Sequence, residues 1–415
     1  MRILMVSECI QEDREGGDCR FVSSLSHALA HAGHEVRVIT RRMHPEDSSC
    51  GRIGSVVVHR FPAPRLGSRV YFTYPLASCL GALQTYLRVS RRWRPDIVHV
   101  HHPYSAVGII LAARLFRRKL PRLVLTFHSP KAAEYDAAYS RWNPLRKMIK
   151  CYAQAVERTT TRGVDAVVVL SGFMEDQLLL HCSPPASKIH KIPGGVDLDV
   201  FHPPADKSAV RNALGIPEAG PVFFTARRLV RRMGIGNLIV AFHSVPREHP
   251  AALLLIGGRG PLEEELRRQV ANLHLEDNVR FLGFVLAEEL PKYYQASDCF
   301  VLPTEKLEGF GLVILEAFAC GTPVLGTAIG AIPEVIGMFD ASLIVPSPSP
   351  SDLAVALDRV IRQLGHGGYP GHQYRSVCER EFGWEIVAKR YVQLFRDLAT
   401  EHGSESLDGA PQYDK

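Results

Sequence analysis

Residues 308–324 read EGFGLVILEAFACGTPV, from Glu308 to Val324. Two glutamates, Glu308 and Glu316, stand eight positions apart; glycines follow the first, and an apolar run of helical period leads up to the second. A glycine-punctuated loop that opens a helix presents backbone N–H groups without intrahelical partners at the positive end of the helix dipole, where an anion such as a phosphate binds readily. At about 1.5 Å per helical residue the two carboxylates are roughly 12 Å apart, and less if Glu308 lies on the loop. That is the reach of a sugar, a diphosphate and a ribose. The strand-like CFVLP (299–303) precedes this segment, and the CGTPV turn leads into a further strand. Strand, loop, helix and strand in series make the crossover unit of a parallel sheet.

Outward from this segment the same alternation fills the chain. RILMVSE (2–8), EVRVIT (35–40), VVVHRF (56–61), DIVHVHH (96–102), RLVLTFH (122–128) and AVVVLS (166–171) are strand candidates in the first half. PVFFTAR (221–227), AALLLIGG (251–258), NVRFLGF (278–284), CFVLP, PVLGT (323–327) and SLIVP (342–346) follow in the second. Between the halves, IPGGVDLDVFHPPADKS (192–208) is dense in Pro, Gly and Asp, as an interdomain connector would be. The expected layout is a Rossmann-like domain over 1–192, a linker over 193–208, a second Rossmann-like domain over 209–382, a helix over 383–400 that returns to the first domain, and an unstructured tail over 401–415. The fold class is α/β, two doubly wound domains facing across a cleft, and open sheets of this kind take ligands beyond the carboxyl ends of their strands.

The composition agrees. With 415 residues, 46% hydrophobic and 22% charged, the chain has ample core and is neither disordered nor fibrous. The net charge of +6 does not argue for nucleic acid, although Arg88–Arg122 holds nine basic residues against the single acid Asp96. That stretch is either a solvated helix surface or a face for an anionic acceptor or membrane. Nine cysteines show no CxxC pair or His/Cys cluster, so neither a disulfide framework nor a zinc site is expected. A reducing cytoplasm fits, and no apolar run reaches the roughly 20 residues that span a bilayer. His27 and His31 have metal-ligand spacing but no third ligand, and Asp197-Leu198-Asp199 lies in the linker rather than after a strand, so no metal site is expected.

EGFGLVILEAFACGTPV resembles the E-x7-E signature of the family 4 retaining glycosyltransferases of GT-B fold. Further segments support it in order: REGGD (14–18), AGHEVRVIT (32–40), DIVHVHHP (96–103), TFH (126–128), IPGGVDLDVF (192–201), ARRLVRRMG (226–234), LLLIGGRGPLEEEL (253–266) and VRFLGFV (279–285). The resemblance covers nearly all of 1–400. It implies a retaining, metal-independent transfer of a hexosyl unit from a UDP- or GDP-linked sugar, with no other cofactor, to a hydroxyl of an acceptor held by the first domain.

Position by position, the resemblance implies that Glu308 bonds hydroxyls of the transferred sugar and Glu316 the nucleotide ribose. The backbone at Phe310, Gly311 and Leu312 would cap the diphosphate, and Gly16 and Gly17 would let the first-domain loop close on it. Arg228 matches the arginine that clamps the leaving diphosphate, and His128 the histidine beside the donor sugar. The family usually has a lysine where this chain has Met233, so the charge must come from Arg231, Arg232 or Arg227, or the donor pocket is weaker. His101, His102, Glu134 and Asp136 are acceptor-side candidates. The acceptor is read as a small soluble compound such as an aminocyclitol antibiotic or other secondary metabolite. Alternatives are a lipid-linked or polysaccharide acceptor at a membrane surface, with weak peripheral contact, a sugar-phosphate isomerase or epimerase of the same architecture, and a non-catalytic nucleotide-sugar-binding protein.

Overall fold

The computed structural model describes residues 1–11, 16–44, 46–62, 73–115, 121–131 and 144–405. The chain divides into two compact units, Met1–Gly194 together with Trp384–Lys415, and Gly195–Gly383.

The first unit is built on an eight-stranded sheet. Its strands are β1 (Arg2–Val6), β2 (Glu35–Arg41), β3 (Cys50–Ile53), β4 (Val56–Phe61), β5 (Ile97–Val100), β6 (Arg122–Phe127), β7 (Ala166–Val169) and β8 (Ile189–Lys191), in the order β3-β4-β2-β1-β5-β6-β7-β8. All neighbours run parallel except β3, which is antiparallel to β4. Ile3 pairs with Val36 on one side and Ile97 on the other, and Ile3, Leu4, Met5 and Val6 are fully buried. Continuous apolar runs are what a parallel sheet covered on both faces requires. The helix Trp384–Glu405 belongs to this unit: Trp384 packs edge-on against Phe21 at 5.3 Å, Tyr391 Oη lies 3.1 Å from Thr126 Oγ1, and Arg122 Nε donates to the Leu398 carbonyl at 3.0 Å. Residues 401–405, expected to belong to the unstructured tail, continue this helix, and 406–415 lie outside the described residues.

The second unit carries β9 (Val222–Ala226), β10 (Leu253–Gly257), β11 (Val279–Gly283), β12 (Cys299–Leu302), β13 (Val324–Thr327) and β14 (Ile344–Val345), all parallel, in the order β11-β10-β9-β12-β13-β14. The Pro/Gly/Asp segment is stitched to this unit. Val196 N–H donates to the Phe382 carbonyl at 2.8 Å, and Arg375 donates to the carbonyls of Phe201 at 2.5 Å and Leu198 at 3.0 Å.

Two features depart from the sequence expectation. The strands β3 and β8 went unread, being short and only partly buried. Cys9 and Cys19 form a disulfide, with Cα atoms 5.2 Å apart. The loop leaving β1 returns to the first turn of the helix Gly17–His31, so two cysteines ten residues apart meet through chain reversal, which spacing motifs do not detect. The other seven cysteines are free.

Candidate active site

Strand order reverses between β1 and β5 in one sheet and between β9 and β12 in the other. In an open parallel sheet the loops leaving such a pair of strands diverge and leave a crevice at their carboxyl ends. In the first unit those loops carry Glu8, His101 and His102; in the second they carry Arg227, Arg228 and the segment 303–311.

In the second unit the helix after β12 runs Leu312–Ala319, with Gly311 as its N-cap at φ 83° and no side chain bonding the first-turn N–H groups. A Cβ at Gly311 would meet Ile314 at 2.9 Å and a left-handed backbone besides, so glycine is needed there. Phe310 is buried. Glu308 lies on the loop, three residues before the cap, and Glu316 in the helix, 2% exposed, with its Oε2 accepting from Tyr294 Oη at 3.0 Å. The Glu308 backbone is pinned by Gly330: the Glu308 carbonyl accepts from Ala331 N–H at 2.9 Å, and a Cβ on Gly330 would come within 2.3 Å of that oxygen. The Glu308 side chain is fixed by an ion pair, Arg227 Nη2 to Glu308 Oε2 at 2.5 Å, with the two side chains 9% and 14% exposed.

The arginines of RRLVRR take different places. Arg228 and Arg231 are exposed. Arg232 Nη1 donates to the Leu307 carbonyl at 2.9 Å, and Leu307 has φ 61°, a left-handed conformation that costs a non-glycine residue about 1–2 kcal/mol. Arg232 thereby holds the loop that presents Glu308. Met233 is buried, with its sulfur 3.0 Å from Arg227 Nη2.

In the first unit, His101 and His128 end adjacent strands, with His101 Nδ1 3.2 Å from His128 Nε2. His99, in β5 two residues before His101, has its ring centroid 4.1 Å from that of His101, tilted by 49°, and bonds Thr126 Oγ1 at 2.8 Å. Burial pushes the His99 pKa down to about 3, with the charge of His128 adding to the shift. His101 is lowered by burial, by His99 and by His128. Both rings are neutral near pH 7. His102 Nδ1 lies 3.4 Å from Glu8 Oε1, a buried carboxylate that also accepts from Ser105 Oγ at 2.6 Å and from Ser78 Oγ. Gly16 and Gly17 are exposed at the start of the helix Gly17–His31, and a Cβ on Gly17 would meet nothing within 4 Å. The protein's own packing therefore does not demand glycine at 17. Glu134 and Asp136 lie outside the described residues.

Among the described residues the one group with metal-ligand geometry is Cys9, Asp18 and Cys19, and its two sulfurs are joined in the disulfide. His27 Nε2 sits 3.4 Å from the Ile53 carbonyl, and Asp197 Oδ1 accepts from the N–H groups of Asp199 and Val200, capping a turn. Glu8, His99 and Tyr294 were not singled out from the sequence. The His-x-His spacing of 99 and 101 on one strand was the only available signal.

A family model described as "Glycosyl transferases group 1" matches residues 206–364, and one described as "Glycosyltransferase Family 4" matches residues 16–200. The chain is 28% identical to "Glycogen synthase" of Mycobacterium tuberculosis (strain ATCC 25618 / H37Rv) over 97% of its length and 96% of the relative's. It is 30% identical to the "GDP-mannose-dependent alpha-(1-6)-phosphatidylinositol monomannoside mannosyltransferase" of the same strain, over 59% of this chain and 65% of that one. Among solved structures, sucrose-phosphate synthase from Thermosynechococcus elongatus superposes with a TM-score of 0.80 at 26% identity, covering 96% of this chain and 99% of the other. The two family models fall in turn on the two sheets whose strand-end loops carry the polar clusters, and the chain belongs to the family 4 glycosyltransferases of GT-B fold, enzymes that transfer hexosyl groups.

Proposed function

We propose that the enzyme transfers a hexosyl unit with retention from a UDP- or GDP-linked sugar to an acceptor hydroxyl, without a metal ion. The observation that carries this reading is a glycine-capped helix N-terminus with one fixed carboxylate on either side, Glu308 held by Arg227 and Glu316 by Tyr294. A carboxylate accepts from two hydroxyls of a diol, which suits Glu308 to the sugar and Glu316 to the ribose. The backbone at Phe310, Gly311 and Leu312 receives the diphosphate, and exposed Arg228 offers its guanidinium fork to the same group. The acceptor oxygen attacks the anomeric carbon as the bond from that carbon to the phosphate oxygen breaks; the electron pair passes to that oxygen, which takes the acceptor proton. Arg228 and the helix dipole stabilise the charge that develops on the phosphate.

The first unit takes the acceptor, with His101 and His102 supplying hydrogen bonds, and His128 is assigned to the donor sugar. The small soluble class is the first to be tried, because no amphipathic membrane-docking helix stands out in the sequence. A cytoplasmic site fits seven free thiols, although the Cys9–Cys19 bond does not add to that case. No helix among the described residues is long and apolar enough to cross a membrane.

The test is hydrolysis of a panel of labelled UDP and GDP sugars, alone and with candidate acceptors, in excess EDTA. Release of nucleoside diphosphate from one donor, undiminished by EDTA, is the expected result. Strict dependence on an added divalent ion overturns the metal-free mechanism, and inertness toward every donor overturns the reading.

A further inference from the structure

Arg227 differs from the other arginines of its tract. Arg228 and Arg231 are exposed, and Arg232 is committed to the Leu307 carbonyl. The Arg227 side chain is 9% exposed, and its Nη1 has no hydrogen-bond partner among the described residues. Its main chain is held on both sides: Arg227 N–H donates to the Gly257 carbonyl at 3.0 Å, and a Cβ on Gly258 would come within 1.9 Å of the Arg227 carbonyl oxygen. Glycine at 258 is what lets the two strand-end loops approach so closely.

A guanidinium does not lose its proton in a protein. Buried, it needs acceptors for its N–H groups; Nη2 is satisfied, by Glu308 Oε2 at 2.5 Å and by the Met233 sulfur at 3.0 Å, and Nη1 is not. A thioether is a neutral, weak acceptor. An ammonium at 233 would instead set a second cation against the guanidinium. With the neutral Met233 beside it, the Arg227 guanidinium is the positive charge at that point.

We propose that Arg227 binds the donor diphosphate, with Nη2 fixing Glu308 and Nη1 donating to a phosphate oxygen, its missing partner, and that Met233 is the neutral residue which makes room for it. The inference rests on the donor site assigned above. It makes Arg227 both a ligand of the diphosphate and a positioning residue for Glu308, so that one planar side chain couples recognition of the phosphates to the register of the sugar carboxylate. A lysine would not serve both ends, since its ammonium is a point charge without a fork.

The experiment is calorimetric titration of the full-length protein with UDP, GDP, UMP and GMP, using wild type, Arg227→Ala, Arg227→Gln, and Arg227→Ala combined with Met233→Lys. Wild type prefers a diphosphate to its monophosphate. Each single substitution weakens diphosphate binding about 10- to 100-fold, the loss expected for one charge-assisted hydrogen bond, and narrows that preference. The double variant, with a cation restored at the same point, recovers most of the diphosphate affinity while hydrolysis of the nucleotide sugar stays low, because Glu308 has lost its fork. Arg227→Gln keeps volume and a donor, so it separates loss of charge from loss of folding. Unchanged diphosphate affinity in both single variants overturns the assignment and leaves Arg227 as a support for Glu308 alone. Failure of Met233→Lys to recover binding overturns the shared cation position. Wild type that binds no nucleoside diphosphate overturns the donor site itself.

Discussion

The loops after β1 and β5 and those after β9 and β12 occupy the same place in their sheets, yet the groups at their strand ends meet burial differently. In the first unit the strand ends carry imidazoles in contact, with the ring centroids of His99 and His101 4.1 Å apart, and burial keeps both uncharged. In the second unit, the strand-end Arg227 is paired with Glu308 of a neighbouring loop. Burial decides between the two outcomes. A histidine can respond to desolvation by giving up its proton, whereas a guanidinium cannot and must be matched by an anion. A neutral cluster suits the hydroxyls of an acceptor, and a charged one suits a diphosphate and its leaving charge.

The strongest test of the contrast is Glu308→Gln. It retains size and hydrogen bonding while removing the charge that Arg227 opposes. Turnover should fall by about two to three orders of magnitude, in the range seen when one transition-state hydrogen-bonding group is removed, with nucleoside diphosphate affinity nearly unchanged. Near-normal turnover would show that charge at 308 is dispensable.

A smaller effect is expected from pH, and on the first unit. The folded-state pKa values of His99 and His101 lie below the unfolded value of 6.5, so below that value the unfolded chain binds protons that the folded one does not. Stability is then complete above about pH 6.5 and declines as pH falls below it, for His99 by about 1.4 kcal/mol per pH unit down to about pH 3, and in the same direction for His101. The second unit, Gly195–Gly383, contains no tryptophan, so tryptophan fluorescence during urea unfolding follows the first unit alone. A midpoint that is the same at pH 5 and pH 7.5 would break the neutral-histidine half of the comparison.

The smallest effect is at Tyr294→Phe, which deletes the hydroxyl that orients Glu316. Nucleotide affinity should drop about 2- to 10-fold, the worth of one hydrogen bond of roughly 0.5–1.5 kcal/mol. Direct titration with the nucleotide would measure it, and an unaltered constant would leave the orientation of Glu316 to its helix.

Much of the fold is legible along the chain because parallel strands buried on both faces need unbroken apolar runs. RILMV, IVHV, VFFTA and LLLIG each stand out in this way and occupy strands. CGRI and IHK do not, since β3 and β8 are edge strands that owe their conformation to a partner rather than to their composition. The site follows the same division. Glu308, the glycine cap and Glu316 lie within nine residues and could be read together, but the ion pair from Arg227 spans 81 positions and the bond from Tyr294 spans 22. The Cys9–Cys19 bond shows the same limit at short range, because it depends on the turn a loop makes and not on the distance between two letters.

By itself the sequence determined the two α/β units and the helix N-terminus between two carboxylates, because apolar period and glycine placement act locally. Which arginine stands beside Glu308, which tyrosine holds Glu316, and which histidines are stripped of charge were decided only by the tertiary structure. Desolvation and ion pairing depend on neighbours that the chain brings together from distant strands.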